Sequence, residues 1–193
     1  KKYQTAIMNI RLPRVLAAIF VGATLAASGA VMQCVLRNPL ASASTLGVSQ
    51  GAAFGAALGI IVFGGGVITN SNSCLLYTSD AGNLGSASWK DLRFISVVFV
   101  LSLIYYMYNR WNYNAMEAGY DTAKSLGVDT KKVMVVSMAV CSLSAAVAVS
   151  FVGIIGFVGL IAPHVMRFFV GNDHRFLVPG SAVCGALLLI LAH

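Results

Sequence analysis

The sequence is poor in charge. Charged side chains make up 10% of its 193 residues, and only 6 residues are acidic, whereas a soluble domain is typically about 25% charged. That scarcity excludes an ordinary water-soluble globule and a disordered tail. Nucleic-acid binding is excluded as well. The 13 basic residues sit almost wholly between long uncharged stretches, which is the pattern of juxtamembrane anchoring rather than of a polyanion-binding surface.

Cysteine is also scarce. Of the 4 cysteines, Cys34, Cys141 and Cys184 lie inside apolar runs and Cys74 lies in an irregular stretch, so neither disulfide nor zinc spacing is present. The centre of each apolar stretch also lacks Asp, Glu, Lys and Arg. Ion-coupled transporters usually bury such a group where the coupling ion binds, so this absence argues against that class. Energy for any transport then comes from outside the chain. No signal peptide is recognised: the basic stretch from Lys1 to Arg14 leads into an apolar run too long for a signal core, without a convincing cleavage site. It is read as part of the mature chain, cut from something longer.

What is present is apolar: 58% of the residues are hydrophobic. Uncharged stretches run from Val15 to Leu36, Asn38 to Ser79, Phe94 to Asn109, Val133 to Met166 and Phe176 to His193. A bilayer crossing needs roughly 20 residues, so the first and last are one span each. Val133 to Met166 would be about 51 Å long as one helix, and it contains Gly153, Gly156 and Gly159. It is expected to be two crossings with a break near Gly153. Thr45 to about Gly64 reads as one helix, followed by turn-like Gly64-Gly65-Gly66 and Asn70 to Ser73. With a short span over Leu92 to Tyr108, the expected fold is an all-α integral membrane protein, a polytopic bundle of about six helices. Counting Lys and Arg leans only slightly toward placing Arg37, the Arg110 to Lys132 loop and the Arg167 to Arg175 loop on the inner face.

Gly47, Gly51, Gly55 and Gly59 recur at every fourth position. Such a ridge lets helix backbones approach in lipid, where hydrophobicity does not drive helices together. Gly22, Ala26 and Ala30 make a weaker series.

Three stretches go beyond composition. Arg11-Leu12-Pro13-Arg14 is followed by Gln33, Arg37-Asn38-Pro39-Leu40-Ala41 and Leu46-Gly47-Val48-Ser49; Gly119 to Val128 reads GYDTAKSLGV; Gly156 to His164 reads GFVGLIAPH, with Asp173-His174-Arg175 and Pro179 beyond. In this order they resemble the FecCD family, the permease subunits of iron-siderophore, haem and cobalamin ABC importers. The resemblance implies a ten-helix subunit in a homodimer or a pseudodimer with a paralogue, in the bacterial inner membrane. Its implied partners are two cytoplasmic ATPase subunits, which bind ATP and magnesium, and an extracytoplasmic substrate-binding protein. The chain itself would hold no cofactor and no metal, and would not be an enzyme.

Against that family pattern, residues 1–64 form a first block and 82–193 a second, within one permease domain. Residues 65–81 form an anomalous junction. Two family helices are missing between Gly59 and Gly82, and Cys74 to Ala81 reads like a translated sequencing adapter, a lineage-specific loop being the alternative.

The resemblance also assigns sites. Arg11 and Arg14, which on composition alone could equally snorkel to headgroups, become the docking point for acidic residues of the binding protein. The loop 110–132, otherwise a solvated loop with a short helix stopped by a glycine, becomes the ATPase coupling segment. Its expected contacts are Gly119, Asp121, Ala123, Lys124, Leu126 and Gly127. Tyr120 stands where the family commonly has an acidic residue. His164, a lone histidine at a helix break, is assigned no chemistry. The expected cargo is a ferric siderophore or related iron chelate; haem or cobalamin, or an ion-coupled secondary transporter, are the alternatives.

Overall fold

The computed structural model describes residues 11–47, 51, 89–152 and 157–192, and all structural statements below concern these. Seven helices occur among them: α1 (Leu12–Val35), α2 (Trp89–Tyr108), α3 (Arg110–Glu117), α4 (Tyr120–Ser125), α5 (Thr130–Val152), α6 (Phe157–Val170) and α7 (His174–Ala192). Among them α1, α5 and α7 are each long and apolar enough to cross a membrane, and α2 qualifies together with α3 across a 57° bend.

Helix α1 is the centre of the bundle, packed on by α7, α5, α6 and α2. Its most apolar window is 78% buried, against 28% for α5 and 33% for α7, so among the described residues α1 is the enclosed helix and the other two keep wide faces uncovered. Its sequence explains the position. Gly22, Ala23, Thr24, Ala26, Ala27, Ser28, Gly29 and Ala30 are all buried, and small residues are what membrane helices use where backbones meet. The hydroxyls of Thr24 and Ser28 donate back to the carbonyls of Phe20 (2.6 Å) and Leu25 (3.0 Å), so neither is left unpaired in the apolar interior.

Two backbone contacts seat α1. A Cβ built on Gly22 would run into the Gly185 carbonyl of α7, and one built on Gly29 into the Gly159 carbonyl of α6. The second contact has a local cause. Pro163 lies inside α6 and has no N–H to offer the carbonyl four residues back, that of Gly159. The freed carbonyl faces the one residue type that leaves room for it.

The regularly spaced ridge behaves differently from expectation. Gly47 sits in a turn at φ +76°, with no described atom within 4 Å of a built Cβ, and Gly51 is equally open. Gly47 is suited to its place by backbone conformation rather than by close packing. Gly55 and Gly59 lie outside the described residues, as do residues 65–81. It is the weaker series, at Gly22 and Ala26, that meets another helix backbone.

Other boundaries also differ in part. The expected span Val15 to Leu36 is α1, and Phe176 to His193 is α7. The polar loop expected from Arg110 begins instead as helix α3. Asn109 forms the bend, its Nδ2 donating to the Tyr105 carbonyl at 3.1 Å, and Tyr113 and Met116 of α3 are fully buried. The second crossing expected after Gly153 is represented by α6, whose 14 residues extend about 21 Å, short of the ~30 Å hydrocarbon layer.

Between α2–α3 and α5 runs a polar seam. Tyr105 and Tyr113 hydroxyls share the Ser137 Oγ at 3.2 and 2.9 Å, and Tyr106 pairs with Ser144 at 3.1 Å. Two buried phenols, Tyr106 and Tyr113, and the half-buried Tyr105 thereby have their polar ends satisfied.

Candidate functional site: the polar end of the bundle

The turn after α1, helices α3 and α4, and the turn before α7 meet at one end of the bundle, in agreement with the expected shared face for those loops. Asn38 and Pro39 cap the first of these. The Asn38 side chain Oδ1 accepts from the Leu40 N–H at 2.9 Å, and Arg37 takes up φ +48°, unusual for a residue with a side chain.

Tyr120 explains why Arg37 is held there. Its hydroxyl donates to the Val35 carbonyl, the last residue of α1, at 2.6 Å. The Arg37 guanidinium lies 5.7 Å from the centre of the same ring, a cation–π distance. This side chain thus ties α4 directly to the central helix. Nothing in the sequence distinguishes this tyrosine from an ordinary surface aromatic, because its partner lies 85 positions away.

Helix α4 is a single turn and a half, entered through Gly119 at φ +134° and left through Gly127 at φ +83°. Both angles favour glycine, so the expected glycine-stopped surface helix is present. The Val128 N–H closes back on the Ala123 carbonyl at 3.0 Å and the Gly127 N–H on that of Lys124 at 2.9 Å, a glycine C-cap. Asp121, Lys124, Leu126 and Gly127 are exposed, with Leu126 68% so, and Gly119 is half-buried. Ala123 is fully buried. It faces the bundle and seats the helix, so of the expected contact residues it is the one the described chain covers completely.

The Asp173-His174-Arg175 turn is equally occupied within the chain. Arg175 binds the Asp173 carboxylate through Nε and a terminal nitrogen at 2.7 to 3.1 Å, and its guanidinium lies 4.8 Å from the Trp111 indole centre. Asn114 of α3 donates through Nδ2 to Asp173 at 2.9 Å and accepts from the His174 backbone N–H at 2.8 Å. The Arg175 guanidinium, with the Asn114 amide, holds the Asp173 carboxyl well below the usual carboxylate range. This turn locks α3 to α7 rather than standing free for a partner.

At the far end of α1, Arg11 is exposed at the N-cap, Pro13 occupies the first turn and Arg14 is half-buried. Pro at that position loses no helix hydrogen bond. His164 contacts only the Phe168 ring edge-on among its ring contacts, centroids 5.4 Å apart.

A polytopic helical membrane protein, with a glycine-bounded helix exposed beyond the end of its central span, is the class these features define. Comparison with known proteins gives the family. The FecCD transport family model matches residues 1–79 and 72–193, and the chain belongs to that family of ABC transporter permeases. MJ0087 of Methanocaldococcus jannaschii, named as an ABC transporter permease protein, is 41% identical over 96% of this chain and 72% of its own length. The cobalamin import permease BtuC of Halobacterium salinarum is 35% identical over 98% of this chain and 66% of its own. A solved structure, described as an inward-facing conformation of a metal-chelate type ABC transporter, superposes with a TM-score of 0.82 at 28% identity, covering 97% of this chain and 77% of that one.

Proposed function

We propose that this chain is the membrane subunit of an importer that carries a ferric siderophore or related iron chelate across a prokaryotic cytoplasmic membrane. It does no covalent chemistry itself. A partner ATPase, binding ATP and magnesium, drives a path at the interface with a second permease subunit between outward and inward access. The observation that carries the reading is α4: an exposed helix tied through Tyr120 to the last turn of the central helix, so that a push on α4 is delivered to α1. Family membership supports the class. The cargo rests on relatives whose names include hemin, Fe(3+)-hydroxamate, Fe(3+)-citrate and cobalamin import.

On this reading Asp121, Lys124, Leu126 and Gly127 meet the ATPase, and Arg11 and Arg14 meet acidic residues of a binding protein. We also read residues 65–81 as a junction in place of a two-helix block. In support, the family model matches in two segments, and the 251-residue alignment with MJ0087 is longer than the 193 residues of this chain.

The test is uptake in proteoliposomes with the ATPase and binding protein, offering ferric hydroxamate, haemin and cobalamin in parallel to the chain with the block restored. Accumulation of the iron chelate, lost in Asp121→Arg while membrane insertion persists, is expected. Accumulation of cobalamin alone would refute the cargo, and unaltered uptake by Asp121→Arg would refute the coupling role.

A further inference from the structure

Three residues that no sequence motif connects converge at the polar end of the bundle. Cys34 from the last turn of α1, Glu117 from the end of α3 and His174 from the start of α7 offer a sulfur, a carboxylate oxygen and a ring nitrogen, all within 4.8 Å of one another. Cys34 and His174 are fully buried, while Glu117 is half-buried and opens a route toward solvent.

The state of the His174 ring follows from its neighbours. The Asp173 carboxylate can only accept, so the Asn114 amide must turn its nitrogen toward it, at 2.9 Å. That leaves the Asn114 Oδ1 facing both the His174 backbone N–H (2.8 Å) and the His174 Nδ1 (3.1 Å). An amide oxygen only accepts, so Nδ1 carries the proton. Nε2 then presents a lone pair, buried and without a hydrogen-bond partner. A buried acceptor left unpaired costs about 1–3 kcal/mol. An imidazole with one nitrogen held by a neighbouring amide oxygen and the other unpartnered, in a ring that sits beside a thiol and a carboxylate, is the arrangement found around protein-bound metals.

The other ligands are oriented as well. The Asn172 Nδ2 donates to the Glu117 Oε1 at 3.2 Å, and the Cys34 Sγ lies 3.4 Å from the Tyr113 carbonyl, to which the thiol donates in the metal-free form. Arg37 and Arg167 are near enough to act electrostatically on Cys34, so a cation is tolerated only if the site supplies equal negative charge. Thiolate and carboxylate together cancel a divalent ion.

We propose that Cys34, Glu117 and His174 form a three-ligand site for a borderline divalent cation of the zinc class, fastening α1, α3 and α7 at the end that carries α4. One sulfur, one nitrogen and one oxygen suit that class, with water as the fourth ligand. Tetrahedral ligand atoms around zinc stand about 3.5 Å apart; closing from 4.8 Å needs about 1 Å of side-chain adjustment. On binding, the Cys34 proton leaves to solvent and the sulfur binds as thiolate. The site is independent of cargo, since its ligands tie helix ends together.

The test is titration of the detergent-purified chain with Co²⁺ alone, followed by displacement with Zn²⁺. One equivalent is expected, with a thiolate-to-cobalt charge-transfer band that zinc abolishes. Cys34→Ser should lose the band, and Glu117→Gln, which preserves shape at a half-buried position, should keep it with affinity at least tenfold lower; circular dichroism confirms that each is folded. Absence of the band in the unaltered chain, or a band and affinity unchanged in both variants, would overturn the proposal, the latter meaning that cobalt sits on another cysteine. Because no ATPase or cargo is present, failure here leaves the transport reading untouched, and failure of uptake leaves this site untouched.

Discussion

Replacing Gly29 by alanine puts one methyl group between two helix backbones. The added carbon would stand 2.8 Å from the carbonyl carbon of Gly159 and 3.0 Å from its Cα, with the carbonyl oxygen closer still. Ordinary contacts between carbons are about 3.5–4.0 Å, so α1 and α6 must part by about 1 Å. Neither side can yield by rotating a side chain, because the obstacle is backbone. A gap of 0.5–1 Å forfeits roughly a quarter to a half of each dispersion contact along the seam, and lipid offers no compensating hydrophobic gain. Overpacking of this kind costs about 1–3 kcal/mol. The upper part of that range applies here, about 2–3 kcal/mol, or roughly a 30- to 150-fold shift in the folding equilibrium. The assay is reversible unfolding by SDS in mixed micelles, followed by circular dichroism. Gly51→Ala is the control, since no described atom lies within 4 Å of a Cβ there, and its effect should stay within about 0.5 kcal/mol. Gly159→Ala pushes on the Leu25 carbonyl at 2.9 Å, so the double variant should cost less than the sum, one separation serving both methyls. Equal midpoints for Gly29→Ala and Gly51→Ala would refute the close-contact argument.

Other expectations follow from the same geometry. Tyr120→Phe removes the bond to the Val35 carbonyl, so it should lower stability by about 0.5–1.5 kcal/mol and lower cargo moved per ATP hydrolysed; unchanged stoichiometry would separate α4 from α1. Ser137→Ala strips the partner shared by the Tyr105 and Tyr113 hydroxyls, and a loss of about 1–3 kcal/mol is expected in thermal melts. Reversing Arg11 and Arg14 to Glu should weaken binding-protein association at low ionic strength and flatten its salt dependence; unchanged affinity would leave the headgroup reading. The 193-residue chain with 65–81 as it stands should insert yet support no uptake, and ATP-driven uptake by it would show that Cys74 to Ala81 is a genuine loop.

The spans were legible because charge marks their ends: Arg37 follows α1, and Asp173 to Arg175 precede or open α7. The stop at Gly127 was legible because a glycine ending a short polar helix has one usual geometry. Partner choice was not. A glycine every fourth position states that a helix can be approached closely, not that it is, and so the regular ridge at Gly47 and Gly51 reads more strongly than the series Gly22, Ala26 and Ala30. The freed carbonyl at Gly159 required both Pro163 and a helix far away in sequence. The inward face of α4 at Ala123 is not legible for a similar reason: a helix of 6 residues shows no periodicity from which it can be read. Cys34, Glu117 and His174 lie on three elements and form no motif.

The burial of α1 has a consequence for biogenesis. Of the described helices it leaves the ribosome first, yet its neighbours α5, α6 and α7 are made last. At about 5–20 residues per second, the interval between Val35 and His174 is on the order of ten seconds. During that time the surface later covered by α7 meets lipid or the insertion machinery, and where α7 comes closest it is made of Gly22 and Ala26. Such a face packs poorly against acyl chains but exposes little that could aggregate, and the Thr24 and Ser28 hydroxyls of the same helix are already closed on their own backbone. The residues that let α1 sit at the centre of the finished bundle are therefore also those that let it wait alone.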